Sequence, residues 1–237
     1  METAIVTGSL GLVGAESVRF LTASGLKVIG IDNDMRREFF SDDASTKWNL
    51  KALEKDCPGY VHYFNDIRSE LNMKKIFSEY NQDIKLIIHA AALTNVEYCE
   101  DHEEEAGEVN VGGTENILRA SGDAHVVYLS TEYVFDRKKG PYSEEDKPNP
   151  QSVYAKTKYE GEQRVLSRKN SSVIRTTVVY TYKQGSKNFL MQLLSGKLNK
   201  FPSDQISNPT LTENLAEEAK GTGIDVNAIA PGALNTR

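Results

Sequence analysis

The sequence predicts an α/β protein in which helices cover both faces of a parallel sheet. Six short apolar runs with strand character recur along the chain, at residues 3–8, 27–32, 60–65, 85–91, 125–131 and 172–180. The segments between them place apolar residues three and four positions apart and end near Gly or Asn, as helices do. Apolar strands that alternate with helices form doubly wound parallel sheets.

Composition places the chain among ordinary globular proteins. Its 237 residues, 39% hydrophobic and 26% charged, suffice for one sizeable core and a small second lobe. The net charge of -6 argues against a nucleic-acid partner. Because no apolar run could span a membrane and Met1 leads directly into a strand, we expect a cytoplasmic protein without a membrane partner.

Cysteine and histidine do not predict a metal site. Cys57 and Cys99 form no CxxC pair, so free thiols in a reducing compartment are expected. The histidines show no ligand spacing, and we interpret His89, at a strand end, as a packed residue. The acidic run at residues 100–108 is typical of a solvated helix start.

The first strand ends in a glycine-rich turn, TGSLGLVG, which contains Gly8, Gly11, Leu12 and Gly14. Backbone N–H groups and the dipole of the following helix can face a pyrophosphate there. The G-x-x-G-x-x-G spacing is one residue longer than the usual dinucleotide fingerprint. Such a turn alone is about as often structural as functional.

The second strand ends in Asp32, roughly 20 residues after the turn. A carboxylate at this place accepts hydrogen bonds from an adenosine ribose and repels a 2'-phosphate, which favours NAD. Arg36 and Arg37 keep NADP as the alternative. The segment to the third strand is long, about 27 residues, and either contributes to the ligand site or packs over the sheet.

Tyr154 and Lys158 lie in the stretch SVYAKTKYEGE. Residues four apart share one face of a helix, and the pair alone is more typical of ordinary helix surface than of a proton relay. Further motifs follow the third, fourth and fifth strands, namely DIR at 66–68, HAAA at 89–92 and STEYVFD at 130–136. The whole ordered set of motifs therefore has to decide between the two interpretations.

In this order, the motifs resemble the extended short-chain dehydrogenase/reductases, over about residues 1–216. Residues 1–70 look most like nucleotide-sugar epimerases of the CDP-paratose/CDP-tyvelose type. The later segments are more similar to dTDP-4-dehydrorhamnose reductase and its relatives, which include the regulatory beta subunit of methionine adenosyltransferase. The resemblance implies a Rossmann-like NAD(P)-binding domain over 1–180 and a small substrate lobe over 181–237.

The resemblance also implies roles for particular residues. Tyr154 becomes the acid/base, Lys158 lowers its pKa and binds the nicotinamide ribose, and Thr131 binds the substrate oxygen. Glu132 stands where the rhamnose-type reductases have Asp, so an acid role is not carried over to it. Contact with the cofactor is expected for Gly8, Gly11, Leu12, Gly14, Asp32, Asp66, Ile67, Ala90, Ala91, Ala92, Asn110, Tyr154 and Lys158.

Two classes of function fit these motifs. The leading one is a nucleotide-sugar reductase or epimerase, two activities that use the same residues. The alternative is a non-catalytic cofactor-binding or regulatory protein on the same scaffold. Helices expected at about 107–121 and 153–169 pair across a homodimer in this family.

The last part of the sequence predicts a small, incomplete lobe. Its VNAIAPG stretch is similar to the sixth strand of the non-extended short-chain reductases, yet residues 172–180 already take the sixth-strand position. We therefore expect residues 224–229 to form a late, short strand near the sheet edge, with no closing helix. Together with residues 181–210, this strand would form a lobe that opens at low free energy.

Overall fold

The computed structural model describes residues 1–80, 83–138, 140–182 and 210–221, together with positions 188 and 191. A six-stranded parallel sheet lies at its centre, in the order β3-β2-β1-β4-β5-β6. The strands are β1 (Thr3–Thr7), β2 (Lys27–Asp32), β3 (Val61–Phe64), β4 (Ile84–His89), β5 (His125–Thr131) and β6 (Ser171–Thr176). The predicted doubly wound, Rossmann-like fold is confirmed, and its order reverses between β1 and β4.

Helices cover both faces of this sheet. They are α1 (Leu12–Ala23), α2 (Arg36–Phe40), α3 (Lys47–Asp56), α4 (Glu70–Tyr80), α5 (Val96–Asp101), α6 (Glu103–Gly107), α7 (Gly113–Ala120), α8 (Val153–Leu166) and α9 (Thr212–Gly221). Short 3-10 turns occupy Asp42–Ala44 and Glu132–Val134. None of the helices in the described ranges is long and apolar enough to cross a bilayer.

The sheet separates two hydrophobic cores, because successive strand side chains point to opposite faces. In β1, Ile5 belongs to one core and Ala4 and Val6 to the other, and all three are fully buried. Leu215 of α9 packs in the same core as Ala4. Burial on both faces explains why the strands read as continuous apolar runs.

The sixth strand is shorter than predicted. Instead of running from 172 to 180, β6 ends at Thr176, whose register partner Thr131 is the last residue of β5. Beyond this pair the neighbouring chain enters the 3-10 turn Glu132–Val134 and no longer continues as a strand beside β6. Val179–Tyr180 (β7) instead pairs with Thr210–Leu211 (β8) in a separate two-stranded sheet.

Of two further predictions, one differs from the structure and the other lies largely outside the described residues. The helix predicted over 107–121 is interrupted by a π-helical turn at Glu108–Gly112, between α6 and α7. The predicted strand at 224–229 lies outside the described residues, as does the predicted lobe at 181–210 apart from residues 181, 182, 188, 191 and 210.

Candidate active site at the carboxyl edge of the sheet

A cleft of about 470 Å³ opens along the carboxyl ends of the parallel strands. Open α/β sheets bind ligands at this edge, where the strand order reverses. The cleft is lined by the predicted residues Gly8, Gly11, Leu12, Gly14, Asp32, Asp66, Ile67, Ala90, Ala91, Ala92, Thr131, Tyr154 and Lys158. The structure thus brings together side chains from all along the chain, and only Asn110 among the predicted site residues lies outside this lining.

The glycine-rich turn has no room for a side chain at Gly8 or at Gly14. Gly8 has φ +67°, and a Cβ built there would lie 2.8 Å from the backbone nitrogen of Ala91. A Cβ on Gly14 would lie 2.0 Å from the carbonyl oxygen of Gly8. Gly11, at the start of α1, offers no capping side chain, so the first-turn N–H groups are open to an outside acceptor. This cradle fits a pyrophosphate.

Asp32 fixes the shape of that turn. Its Oδ2 accepts a hydrogen bond from the backbone nitrogen of Leu10 at 3.0 Å, and its Oδ1 accepts one from Asp34 at 2.8 Å. Burial raises the pKa of Asp32, and the two backbone hydrogen bonds oppose this shift. A carboxylate has about four acceptor positions, so capacity remains for the hydroxyls of a ribose.

The long insert between β2 and β3 forms one wall of the cleft. Arg36, Phe40 and Trp48 line the cleft, and the Arg36 guanidinium lies 4.5 Å from the centre of the Phe40 ring. Asn49 Nδ2 donates to the carbonyl oxygen of Leu10 at 2.8 Å, which ties α3 to the glycine-rich turn. The insert therefore packs over the sheet edge and also lines the cleft, and its contribution to a ligand site stays a prediction.

Asp66, after β3, is engaged by Arg68. Arg68 donates to the Asp66 carboxylate from its backbone nitrogen at 2.8 Å and from Nη2 at 2.7 Å, and Asn33 Nδ2 adds a bond at 3.1 Å. Burial acts to raise the pKa of Asp66, but the bonds from Arg68 outweigh it and hold this pKa below its ordinary value. A ligand at this position would compete with Asn33 or Arg68 for the carboxylate.

Asn110 stands behind the cleft, inside the π-helical turn. Its Oδ1 accepts from the backbone nitrogen of Leu93 at 2.8 Å, and its Nδ2 donates to Leu93 O at 3.1 Å and to Thr157 Oγ1 at 3.0 Å. The side chain is 1% exposed. Asn110 therefore fixes the loop after β4 against α8, and its expected contact with a cofactor stays a prediction.

Tyr154 is held near the start of α8. The Ser152 side chain caps this helix by accepting from the backbone nitrogen of Ala155, and Glu100 Oε1 accepts from that of Val153 at 2.7 Å. Burial raises the pKa of Tyr154, while a hydrogen bond with Thr131 opposes the shift. The Tyr154 hydroxyl therefore keeps its proton at neutral pH.

Lys158 is buried one turn further along α8, with 2% of its surface exposed. Its Nζ donates to the carbonyl oxygen of Leu129 at 2.7 Å and lies 4.0 Å from the centre of the Tyr128 ring. Burial lowers the pKa of Lys158 to about 7, and Glu162 opposes the shift. The expectation that Lys158 would bring the pKa of Tyr154 below its ordinary value is corrected, because burial dominates both groups.

Several polar residues near the site were not among the predicted site residues. Glu162, Arg175 and Ser130 form a buried group beside Lys158. The signal for Glu162 was available, because it stands one further helical turn beyond Lys158 in the same stretch. Glu132 lines the cleft, and burial raises its pKa to about 7.

His89 is a packed residue, as expected. Its ring nitrogens lie 2.7 Å from Thr7 Oγ1 and 2.9 Å from Thr114 Oγ1, and burial lowers its pKa to about 3. In the described part of the chain, no three His, Cys, Asp or Glu side chains are grouped so that they could hold a metal ion.

Comparison with known protein families and sequences gives a consistent result. The RmlD substrate binding domain family matches residues 2–221. The chain is 31% identical to the spore coat polysaccharide biosynthesis protein SpsK of Bacillus subtilis (strain 168), covering 92% of this chain and 68% of that protein. It is 37% identical over 144 residues to dTDP-4-dehydrorhamnose reductase of Mycobacterium tuberculosis, covering 56% of this chain and 47% of that protein.

A different kind of relative is methionine adenosyltransferase 2 subunit beta of Bos taurus. It is 40% identical over 98 residues, which cover 40% of this chain and 29% of that protein. Among solved structures, dTDP-4-dehydrorhamnose reductase from Bacillus anthracis in complex with NADP superposes with a TM-score of 0.73 at 25% identity. The superposition covers 97% of this chain and 74% of that one.

Proposed function

The chain belongs to the RmlD substrate binding domain family, within the extended short-chain dehydrogenase/reductases, and from this premise we propose that it is an NAD(P)H-dependent reductase of a 4-keto nucleotide sugar. The observation that carries the proposal is the meeting of Thr131, Tyr154 and Lys158 in the wall of one cleft that also contains the glycine cradle. Because these residues come from β5 and α8, their meeting is a property of the fold.

The residues of the cleft fit a dinucleotide. The turn at Gly8, Gly11 and Gly14 would hold the pyrophosphate, and Asp32 would accept from the adenosine ribose. Lys158 spends one of its three N–H donors on Leu129 O, which leaves two for the nicotinamide ribose. When bound, the reduced dinucleotide supplies a hydride to the sugar carbon.

The protonation state of Tyr154 suits the reductive direction. A reductase needs an acid that gives a proton to the sugar oxygen, whereas an epimerase must first remove a proton from a hydroxyl. Because burial raises the pKa of Tyr154, its hydroxyl is an acid at neutral pH. Thr131 hydrogen-bonds Tyr154 and would bind the same sugar oxygen, which orients it toward the proton donor.

The choice between NAD and NADP is part of the proposal. Asp32 at the end of β2 favours NAD, because its charge repels a 2'-phosphate. Arg36 lines the same part of the cleft and favours NADP, as does the relative from Bacillus anthracis, which was solved with NADP. Titrating the protein with both reduced nucleotides decides between them.

The test of the proposed function combines two measurements. Purified protein is denatured and any released nucleotide identified, and the protein is then assayed for oxidation of NADH and NADPH with dTDP-4-dehydrorhamnose and other 4-keto nucleotide sugars. A reductase should hold little nucleotide and turn over at least one such substrate. Retained NAD with no net oxidation would indicate an epimerase and overturn the proposal.

A second candidate is a regulatory, non-catalytic protein, and the similarity to the bovine methionine adenosyltransferase subunit favours it. Such a protein would bind the nucleotide and oxidise none of it with any sugar tested.

We also propose a homodimer in which α7 and α8 pair with the same helices of a second copy. These two helices already lie side by side within one chain, where Arg164 Nε is 3.2 Å from Glu115 Oε1. Light scattering at micromolar concentration should give twice the chain mass. A monomer at that concentration would contradict this assembly.

A further inference from the structure

Helix α8 presents three functional groups on one face, because Tyr154, Lys158 and Glu162 follow each other at intervals of four residues. The first two line the cleft, whereas Glu162 does not. Glu162 is fully buried, and a buried carboxylate is costly unless it is paired. The partners of Glu162 therefore indicate what it does.

Glu162 is paired with Arg175 of β6. Arg175 Nη2 lies 2.7 Å from Glu162 Oε2, and Arg175 Nε donates to Glu162 Oε1 at 3.0 Å. The Ser130 hydroxyl donates a short hydrogen bond to the same carboxylate. Arg175 is 4% exposed, and its Nη1 has no hydrogen-bond partner among the described residues.

This ion pair is joined to the end of β5, which carries the predicted substrate contact Thr131. Ser130 and Arg175 are register partners on β5 and β6. Lys158 Nζ binds the carbonyl oxygen of Leu129, the residue before Ser130. The face of α8 thus holds two consecutive residues of β5 directly before Thr131.

The groups around Lys158 come from five elements, and most of them are uncharged near neutral pH. His89 of β4 has its pKa lowered to about 3 by burial, and burial raises the pKa of Tyr128 of β5 and of Tyr154 of α8. In the 3-10 turn after β5, burial raises the pKa of Glu132 to about 7. Glu162 of α8 and Arg175 of β6 form the charged pair.

We propose that Glu162 and Arg175 act as positioning residues that set how much of Lys158 is charged at neutral pH, while Ser130 couples the pair to the strand that carries Thr131. Glu162 favours the ammonium form of Lys158, and Arg175 limits that effect by neutralising the carboxylate. The inference rests on the proposed role of Lys158 as a donor to the nicotinamide ribose, and it adds to that role two residues that lie outside the cleft.

Removing the charge of Glu162 and removing the charge of Arg175 should shift the pKa of Lys158 in opposite directions. Glu162→Gln removes the negative charge and leaves Arg175 unbalanced, so the pKa of Lys158 should fall, by about one unit. Arg175→Met removes the positive charge and frees the carboxylate, so the pKa of Lys158 should rise by a similar amount. A purely structural role would loosen the site in both variants and move this pKa in the same direction.

Lys158 can be titrated directly in the intact protein. Lysine labelled with ¹³C at Cε is incorporated, and chemical shifts are followed against pH. Lys158 is identified by the signal lost in Lys158→Met, and it should titrate near neutral pH while ordinary lysines titrate near about 10.4. Opposite shifts in the two variants support the proposal. Shifts of the same sign, or no shift in either variant, overturn it.

Two further variants keep the test decisive when a single variant fails to fold, since an unpaired buried charge is strongly destabilising. In Glu162→Gln/Arg175→Met both charges are gone, and the pKa of Lys158 should fall by less than in Glu162→Gln. Arg175→Lys keeps the charge and should restore the wild-type titration. A pKa of Lys158 that falls as far in the double variant as in Glu162→Gln would overturn the proposal.

The outcome is separable from that of the proposed function, because the titration needs neither cofactor nor substrate. Opposite shifts without a matching shift in the pH dependence of turnover would uphold the role of the pair and contradict the proposed part of Lys158 in turnover. If turnover requires Tyr154 but the pKa of Lys158 is the same in the wild type and the charge variants, the reductase is upheld and the role of the pair is contradicted.

Discussion

The two ends of the cleft are built in different ways. At the end proposed to be catalytic, around Tyr154 and Lys158 and called the catalytic end below, side chains are enclosed between β5, β6 and α8, and the neighbouring Glu162 is fully buried. At the end proposed to bind adenosine, called the adenosine end below and formed by Asp32 and the insert over residues 33–49, Phe40 and Trp48 are 40% and 41% exposed.

The two ends also differ in what burial does to the pKa values of their ionisable groups. At the catalytic end, burial moves the pKa of Tyr154, Lys158 and Glu132 away from ordinary values. At the adenosine end, burial also raises the pKa of Asp32, but hydrogen bonds to the backbone oppose that shift and shape the turn, such as those to Asp32 and from Asn49. Substitutions at the catalytic end should therefore change turnover, and those at the adenosine end should change affinity.

The largest effect is expected for Tyr154→Phe. Because only the proton donor is removed, turnover should fall about 100-fold or more, while nucleotide affinity stays nearly constant. Tyr159→Phe, on the same helix but outside the cleft lining, is the matched control and should behave as the wild type. Unchanged turnover in Tyr154→Phe would show that Tyr154 is not the proton donor and would contradict the catalytic role of this end of the cleft.

A smaller effect is expected for Gly14→Ala, between the two ends. The new Cβ would lie 2.0 Å from Gly8 O, so the turn must shift and nucleotide affinity should drop roughly tenfold, or about 1.4 kcal/mol. Gly107→Ala is the control, because its Cβ would meet no atom within 4 Å. Equal nucleotide affinities in both variants, measured by calorimetry, would show that the turn does not hold the nucleotide.

At the adenosine end, Asp32→Ala should weaken NAD by several-fold to about tenfold and improve the relative affinity for NADP. Arg36→Ala should act in the opposite sense and weaken NADP more than NAD. Fluorescence titration of both reduced nucleotides measures these ratios. A wild type that already prefers NADP would implicate Arg36 and withdraw the ribose role from Asp32.

A separate effect concerns stability against pH. The pKa of Lys158 falls from 10.5 to about 7 on folding, so the unfolded chain binds more protons between these values. The free energy of unfolding should therefore rise with pH across that window, by at most about 1.4 kcal/mol per pH unit from this group.

Glu132 should affect the free energy of unfolding in the adjoining, lower pH range. Its pKa rises from 4.5 to about 7 on folding, so its contribution should fall as pH rises between these values. Urea unfolding of Lys158→Met and Glu132→Gln should lose the respective slopes, whereas Trp48→Ala, at the adenosine end, should keep both. If the pH dependence of the free energy of unfolding changes as much in Trp48→Ala as in the other two variants, the slopes do not arise from Lys158 and Glu132.

The sequence by itself determined the order of the strands along the chain and a part of the cleft lining. Six apolar runs specified the parallel strands, because a strand buried on both faces must be apolar throughout. The motifs after β1, β2, β4 and β5 and the Tyr154 pair converge on one cleft, because the carboxyl ends of parallel strands meet at one edge.

Only the tertiary structure decided the partners and the protonation states. The spacing of Tyr154, Lys158 and Glu162 is visible in the sequence, yet the pairing of Glu162 with Arg175 depends on β6 lying beside β5. The pKa of Lys158 likewise depends on its enclosure under Leu129 and Tyr128, which no local pattern encodes. Strands and turns follow from local periodicity, whereas burial and charge pairing are properties of residues brought together from distant parts of the chain.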